Sequence, residues 1–359
     1  MKTLIIDCRM ARMSGIGVYL RNLVPRCMAL LAGEARFRLL GYEGTFAVPE
    51  ECLWEDVPFD VPIYSIAEQM RILPLLRGGS VLWTPHYPIP VLSRLPLAVT
   101  VHDVAHLALP ELFTGVQKVY SRLMFQAVRL KAAELVFVSE FSRQEFLRHV
   151  GRPRGGMTVV HNGVDSAWLE HPPTAMAATT PYFLAVGNIK PHKNIRLLCR
   201  AFAQIADKCD ADLVLAGEYA GFRTSETPRE ILADICPGRI RFTGVMEQKA
   251  LISLMAGAQA LIFPSRYEGF GLPPLEALAV GIPVVASDTP SVREVCATHA
   301  HYFPLSNEEQ LSQKLLETLA LSPEERRTAG EAGRAHAKRF SWTAAAEKTV
   351  DVLRRALRL

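Results

Sequence analysis

The chain has 359 residues, 49% of them hydrophobic and 21% charged, with a formal net charge of +4. That length admits one or two domains with ample core, and the small charge excess excludes a nucleic-acid binder of the usual basic kind. No apolar run reaches the ~18 residues that cross a bilayer, and seven scattered cysteines without a C-x-x-C pair point to reduced thiols, with neither a disulfide frame nor a zinc site.

The chain opens Met-Lys-Thr-Leu-Ile-Ile-Asp. The Asp in seventh place breaks any signal h-region, so 3–7 is expected as the first strand of a mature cytoplasmic protein. A loop containing Ser14-Gly15-Ile16-Gly17 follows, then helical spacing over 18–24. Strand, glycine loop and helix make the first unit of a nucleotide-binding α/β domain. Leu20 stands where a dinucleotide fingerprint places its third glycine, which argues against an NAD site. Further strands are expected at 37–40, 81–83, 97–101, 135–138 and 158–160, whereas 43–80 is too rich in Pro, Gly and charge to assign. Two strand ends carry polar chemistry: Trp83-Thr84-Pro85-His86-Tyr87 and Thr100-Val101-His102-Asp103-Val104. Residues just past strand C-termini face the ligand crevice of an open α/β sheet, which makes His102, Asp103 and His86 candidates, with His106 beside them. Asp103 either orients the His102 ring or meets a ligand. Ser139 to Ser142 reads as a helix cap.

From Lys118 to Arg154 eight basic residues face three acids, with Tyr120, Leu123, Met124, Phe125 and Val128 interleaved. An ordinary amphipathic surface helix explains this. The sharper alternative is a face resting on anionic lipid or on a phosphate-bearing acceptor. Asn162-Gly163 is a turn pair, and 169–180, with Pro172-Pro173, lacks periodicity and is expected as an interdomain linker between domains at 1–168 and 181–340.

The second series begins with a strand at 182–186, the loop Gly187-Asn188-Ile189-Lys190-Pro191-His192-Lys193-Asn194, and a helix over 195–206. Strands follow at 213–215, 240–242, 261–263 and 284–286, so two βα series face one another as α/β domains with parallel sheets. After the strand at 261–263 comes Pro264-Ser265-Arg266-Tyr267-Glu268-Gly269-Phe270-Gly271-Leu272-Pro273-Pro274-Leu275-Glu276. Gly269 and Gly271 let backbone N–H groups approach a ligand, and a helix from 275 to 280 would point its N-terminus back at that face. Glu268 and Glu276 on one rim can accept hydrogen bonds from a sugar or ribose, although Glu276 alone would equally complement the helix dipole. The tail 341–359 reads as a basic amphipathic helix.

The string around Glu268 and Glu276 resembles the E-x7-E signature of retaining glycosyltransferases of family 4, with the GT-B fold of two Rossmann-like domains facing a central cleft. Ser-Gly-Ile-Gly, His102-Asp103, Asn162-Gly-Val-Asp165 and Phe340-Ser-Trp342 are similar to the same family. The resemblance implies a metal-independent hexosyltransferase without a cofactor, whose co-substrate is a nucleotide-diphosphate sugar. It implies that Glu268 contacts sugar hydroxyls, aided by the N–H groups of Phe270, Gly271 and Leu272, and that Glu276 holds the ribose. Lys193, with Gly15 and Gly17, would stabilise the diphosphate, and His102 would lie beside the transferred sugar. Asn188 stands where the family often has an arginine, leaving Lys190 or Arg266 to supply that charge. Asp103 and His86 would lie on the acceptor side, and the last helix would cross back to the first domain. The loop wording is most similar to bacterial mannosyltransferases that use GDP-mannose in surface polysaccharide assembly, with a glycan or lipid-linked acceptor. A UDP-sugar donor, a silent nucleotide-binding partner subunit, a nucleotide-sugar 2-epimerase and an NAD oxidoreductase are the alternatives.

Overall fold

In the computed structural model, which describes residues 1–13, 15–170, 180–218, 235, 236 and 238–358, the chain divides into two units. The first is Met1–Gly163 with Ser341–Leu359, and the second is Val164–Phe340. Ser14, and most of the expected linker, lie outside the described residues.

In the first unit β1 (Lys2–Asp7), α1 (Gly15–Leu30), β2 (Ala35–Leu40), β3 (Trp54–Val57), α2 (Ile66–Leu75), β4 (Val81–Thr84) and β5 (Leu97–Val101) follow in turn. Then come α3 (Ala105–Ala108), α4 (Gly115–Lys131), β6 (Ala132–Phe137), α5 (Glu140–His149) and β7 (Gly156–Val159). The sheet is parallel throughout, in the order β3-β2-β1-β4-β5-β6-β7. Every residue of β4 and β5 is buried, as expected of strands covered on both faces. The unassigned stretch 43–80 contains β3 and α2. β3 reads Trp-Glu-Asp-Val and occupies the sheet edge, where charge is tolerated and no apolar run marks it. Ser65 caps α2 by accepting the Glu68 N–H.

The second unit holds α6 (Ser166–Glu170), β8 (Tyr182–Val186), α7 (Ile195–Ala203), β9 (Asp212–Ala216), β10 (Ile240–Gly244) and α8 (Gln248–Ala256). It continues with β11 (Ala260–Phe263), α9 (Leu272–Val280), β12 (Val284–Ser287), α10 (Pro290–Cys296), β13 (His301–Phe303), α11 (Glu308–Leu319) and α12 (Pro323–Ala337). Its parallel sheet runs β10-β9-β8-β11-β12-β13. The dividing point falls after Gly163, five residues before the expected boundary at 168, because α6 belongs to the second unit. Trp168 is buried there, the Val164 N–H donates to Phe340 O, and Arg334 Nη2 donates to Leu169 O. Leu169 and Glu170 therefore end a helix instead of starting a linker.

Each sheet reverses its winding at one place, between β1 and β4 and between β8 and β11. A crevice opens at such a switch point at the carboxyl ends of the strands, and that is where doubly wound sheets hold ligands.

The tail is α13 (Trp342–Arg358), in the first unit. Its ties are specific. Arg355 bonds both oxygens of Glu134 at 3.0 and 2.9 Å, Arg354 bonds Glu34 at 3.0 and 2.7 Å, and Lys2 Nζ donates to Leu357 O. Trp342 packs edge-on to Tyr19 at 6.1 Å between centroids.

Candidate active site

At the switch point of the second unit, β8 is followed by Gly187, whose φ of +135° favours glycine. The chain turns through Pro191–Lys193, and Asn194, at φ +56°, starts α7. From β11 the chain runs on through Pro264 and Ser265 to Glu268. The two loops are stitched by the Arg266 N–H donating to His192 O at 2.7 Å. This brings Lys193 Nζ within 2.6 Å of Glu268 Oε1, with the side chains 18% and 16% exposed. The ammonium also lies 5.4 Å from the centre of the Phe263 ring. Gly187, Lys193, Phe263, Pro264 and Ser265 line a small pocket here. A side chain at Gly187 would lie 3.8 Å from Lys193 Nζ, so the glycine keeps space beside the cation.

α9 starts at Leu272, three residues before the expected start, with Gly271 as its cap at φ +104°. Pro273 and Pro274 sit inside its first turn, where a missing N–H costs nothing. The Gly271 and Leu272 amides donate to no protein acceptor among the described residues. Both N–H groups sit at the positive end of the helix dipole. Glu276 thus lies one turn inside the helix, so simple complementation of the helix start does not explain it. It is half-buried, and burial together with the Asp165 carboxylate pushes its pKa up to about 8. Phe270 is buried, with its ring against Phe340 at 6.0 Å, so its side chain does not face a ligand. Asn188 is half-buried and uncharged, and Lys190 and Arg266 are exposed.

Sequence reading missed a second signal here. Buried polar groups normally find partners, and those that do not call for an explanation. In this unit the unpartnered buried atoms include those of Asn194, Ser265, Thr289 and Ser291, in the segments that follow β8, β11 and β12. Glycine motifs do not mark these residues; their position at strand ends could have.

In the first unit Gly15 opens α1, and a side chain there would meet nothing within 4 Å. Gly17 is different: an added Cβ would lie 2.7 Å from Ala11 O and 2.8 Å from Arg21 Nη1, so this glycine lets α1 close on its own loop. His102 Nε2 lies 2.9 Å from Pro85 O, and a carbonyl only accepts, so Nε2 carries the hydrogen. Burial lowers the His102 pKa to about 4, so the ring is neutral at pH 7. Tyr19 packs edge-on to it at 4.9 Å, and Ser142 Oγ donates to His102 O at 2.7 Å. Ser139 accepts the Ser142 N–H as the cap of α5. The expected Ser-x-x-Ser cap is therefore also a brace for His102, a role its wording does not show.

Asp103 Oδ1 accepts the N–H of Ala105, the first residue of α3, at 2.9 Å. His86 is 2% exposed and lies 3.2 Å from Asp7 Oδ2 through Nε2. Asp7 and Glu68 both accept from Arg9 Nη2, at 2.5 and 2.6 Å. Burial would raise the Asp7 carboxyl, but the hydrogen bonds from Arg9 and His86 hold it well below the usual carboxylate range. His86 is a member of this buried cluster at the ends of β1 and β4, with Nδ1 unpartnered, and does not present its ring to solvent.

The family model for group 1 glycosyl transferases matches residues 167–336, and that for glycosyltransferase family 4 matches 67–168. The chain belongs to the glycosyltransferases. This glycosyltransferase is 29% identical over 278 residues to O-antigen chain mannosyltransferase B of Escherichia coli, covering 74% of this chain and 72% of that protein. It is 28% identical over 242 residues to O-antigen chain mannosyltransferase RfbU of Salmonella typhimurium, covering 67% and 65%. Among solved structures it is similar to sucrose-phosphate synthase from Thermosynechococcus elongatus, with a TM-score of 0.77, 18% identity and 99% and 98% coverage. HepE of Anabaena in complex with UDP-glucose gives 0.78, 17%, 99% and 100%. At these identities the structural likeness establishes the GT-B fold of the transferase and nothing finer. No described helix of this glycosyltransferase is long and apolar enough to cross a membrane. Among the described residues no group of three or more His, Cys, Asp or Glu is placed to hold a metal ion.

Proposed function

We propose that this glycosyltransferase moves a mannosyl group from GDP-mannose to a hydroxyl of a glycan or lipid-linked acceptor, with retention of configuration and without a metal. The observation that carries the reading is the Lys193–Glu268 pair at the second switch point, beside the unpaired Gly271 and Leu272 amides. A departing nucleoside diphosphate needs a cation and N–H donors, and a sugar needs a carboxylate acceptor; one crevice has both. The names of the relatives support mannose. One relative, 31% identical over 185 residues, is a GDP-mannose-dependent monoacylated phosphatidylinositol monomannoside mannosyltransferase of Corynebacterium glutamicum.

In this reading the donor diphosphate takes Lys193 away from Glu268, and the freed carboxylate accepts from sugar hydroxyls. Glu276 receives the ribose diol, and Gly15 and Gly17 border the phosphates. The acceptor oxygen forms its bond to the anomeric carbon on the face from which the diphosphate leaves with the bonding electron pair. The acceptor proton passes to the departing phosphate oxygen. Neutral His102 contributes a ring nitrogen or its backbone to a sugar hydroxyl and is too weak a base to take the proton itself. Asp103 and the His86 cluster shape the acceptor side.

A thermal-shift series with GDP, GDP-mannose, UDP and UDP-glucose tests the donor, since a ligand of the folded state raises the midpoint. A selective rise with the guanosine pair is expected. A selective rise with the uridine pair replaces the donor, and no rise with any of them removes the transferase mechanism proposed for this crevice.

A further inference from the structure

The ends of β1 and β4 flank the switch point of the first unit, and a chain of buried charges starts there. Arg9 Nη2 donates to Asp7 Oδ2 at 2.5 Å and to Glu68 Oε1 at 2.6 Å, with the Arg9 and Glu68 side chains 5% and 4% exposed. Its Nη1 donates to Val61 O at 2.9 Å, and its guanidinium lies 4.4 Å from the centre of the Phe59 ring. The other Glu68 oxygen accepts the Tyr64 N–H at 2.9 Å. In an ordinary capping box that carboxylate would return to the cap residue, Ser65; here it reaches one residue further back. Tyr64 is held in this way at φ +66°, a left-handed conformation that bulky side chains rarely adopt. Such strain persists only where the surroundings impose it, and it gathers at ligand sites. A buried ion network is also a poor means of gaining stability. What this one fixes is the place of the Tyr64 ring.

That ring is 44% exposed and heads an aromatic cluster. The ring centres of Tyr87, Tyr120 and His106 lie 5.8, 6.0 and 6.4 Å from it. Tyr87 is backed by Phe125, stacked at 4.3 Å, and His106 by Phe113, stacked at 4.1 Å. The cluster is not purely apolar. Tyr120 Oη is buried without a partner, as are Thr84 Oγ1 and His86 Nδ1 in the segment that leads to Tyr87. Buried polar atoms of this kind call for a partner. Burial pushes the Tyr87 phenol far up, and the neighbouring Tyr64, Tyr120 and Asp103 add to it, so it stays protonated and can donate. A ligand that suits such a cluster has a flat apolar face and hydroxyls around its edge. A pyranose ring has both: its C–H bonds stack on an aromatic face, and its hydroxyls meet the polar atoms. An acyl or polyprenyl chain offers those atoms nothing. A phosphate would find Arg9 already committed to two carboxylates.

We propose that Tyr64, with Tyr87 and His106, is the platform on which the terminal sugar ring of a glycan acceptor stacks, and that Tyr64 sets the preference for a sugar there. This rests on the transferase reading and names its acceptor as a sugar end. The test is saturation-transfer NMR on the full chain with the methyl α-pyranosides of mannose, glucose, galactose and N-acetylglucosamine. Transfer to the ring C–H protons of at least one of them is expected. Tyr64→Gly, which suits the positive φ, weakens that binding at least about fivefold, the worth of roughly 40 Å² of buried apolar surface. Tyr64→Phe keeps it within about twofold. Glu268→Ala, in the donor crevice of the second unit, leaves the signal in place. Unaltered circular dichroism shows that each variant is folded. No transfer to any of the four glycosides, undiminished binding in Tyr64→Gly, or loss of the signal in Glu268→Ala overturns the proposal. The melting shift with GDP is read in parallel and is the same in Tyr64→Gly as in the parent. Its absence from the parent removes the transferase reading, whereas its presence without a sugar signal removes only the platform.

Discussion

Replacing Lys193 by alanine separates the stabilising part of the Lys193–Glu268 contact from its catalytic part. The pair is 2.6 Å apart with each side chain about one-sixth exposed, so it lies between a surface ion pair and a fully buried one. Exposed pairs are worth ~0–1 kcal/mol, and breaking a fully buried one costs ~3–5 kcal/mol. With water able to reach Glu268, the loss is about 1–2 kcal/mol. For a domain of this size that lowers the melting midpoint by about 2–8 °C. Removing a preorganised donor from a developing anion costs much more in rate, on the order of 100–1,000-fold. The assay pairs a melting curve with GDP release from GDP-mannose. The expected result for Lys193→Ala is a modest shift in the midpoint with turnover nearly gone, and partial recovery in Lys193→Arg. Turnover within about threefold of the parent, with the same modest shift, would refute the assignment of Lys193 to the leaving diphosphate.

Glu276 and His102 give pH signatures of opposite sign. Glu276 titrates at about 8 in the folded protein, above its ordinary 4.5, so stability is fully present below pH 4.5 and declines as pH rises through 8; Glu276→Gln should flatten that decline in melting midpoint. His102 titrates at about 4 against an ordinary 6.5, so its contribution is present above pH 6.5 and is lost as pH falls through 4, and His102→Asn should flatten the acid limb. Ser142→Ala leaves the His102 carbonyl without its hydroxyl donor, at a cost of about 1–3 kcal/mol in stability; turnover should fall while the nucleotide-induced melting shift stays the same. Gly17→Ala forces a methyl against the Ala11 carbonyl and should cost about 1–3 kcal/mol by chemical denaturation, whereas Gly15→Ala meets open space and should be near neutral.

The parallel strands were legible because each is a short apolar run between polar stops, as in β5 and β11. β3 was not, because an edge strand carries its charges openly, and β13 was not, because three residues beginning with His show no period. Lys193 and Glu268 were legible one at a time through their loops. Their contact was not, because it depends on the strand order that places β8 next to β11. The buried setting of His86 was equally hidden: the wording after β4 shows a histidine at a ligand-facing end, but Asp7 meets it from elsewhere in the chain and is held in turn by Arg9, which also bonds Glu68. The brace from Ser142 to His102 spans 40 residues and follows from α5 starting beside β5, which no local spacing encodes.

The placement of α13 in the first unit orders events during synthesis. On a ribosome adding ~5–20 residues per second, Val164–Phe340 takes on the order of 10–35 s to emerge. For all of that time the first sheet and α1 are complete in sequence but lack the helix that covers them. Glu134 and Glu34 wait for Arg355 and Arg354, and Tyr19 waits for Trp342. The second unit is continuous and can fold as soon as it emerges, whereas the earlier-made first unit finishes last. Its open surface during that interval is where a nascent chain of this protein is most exposed to misassembly and to chaperones.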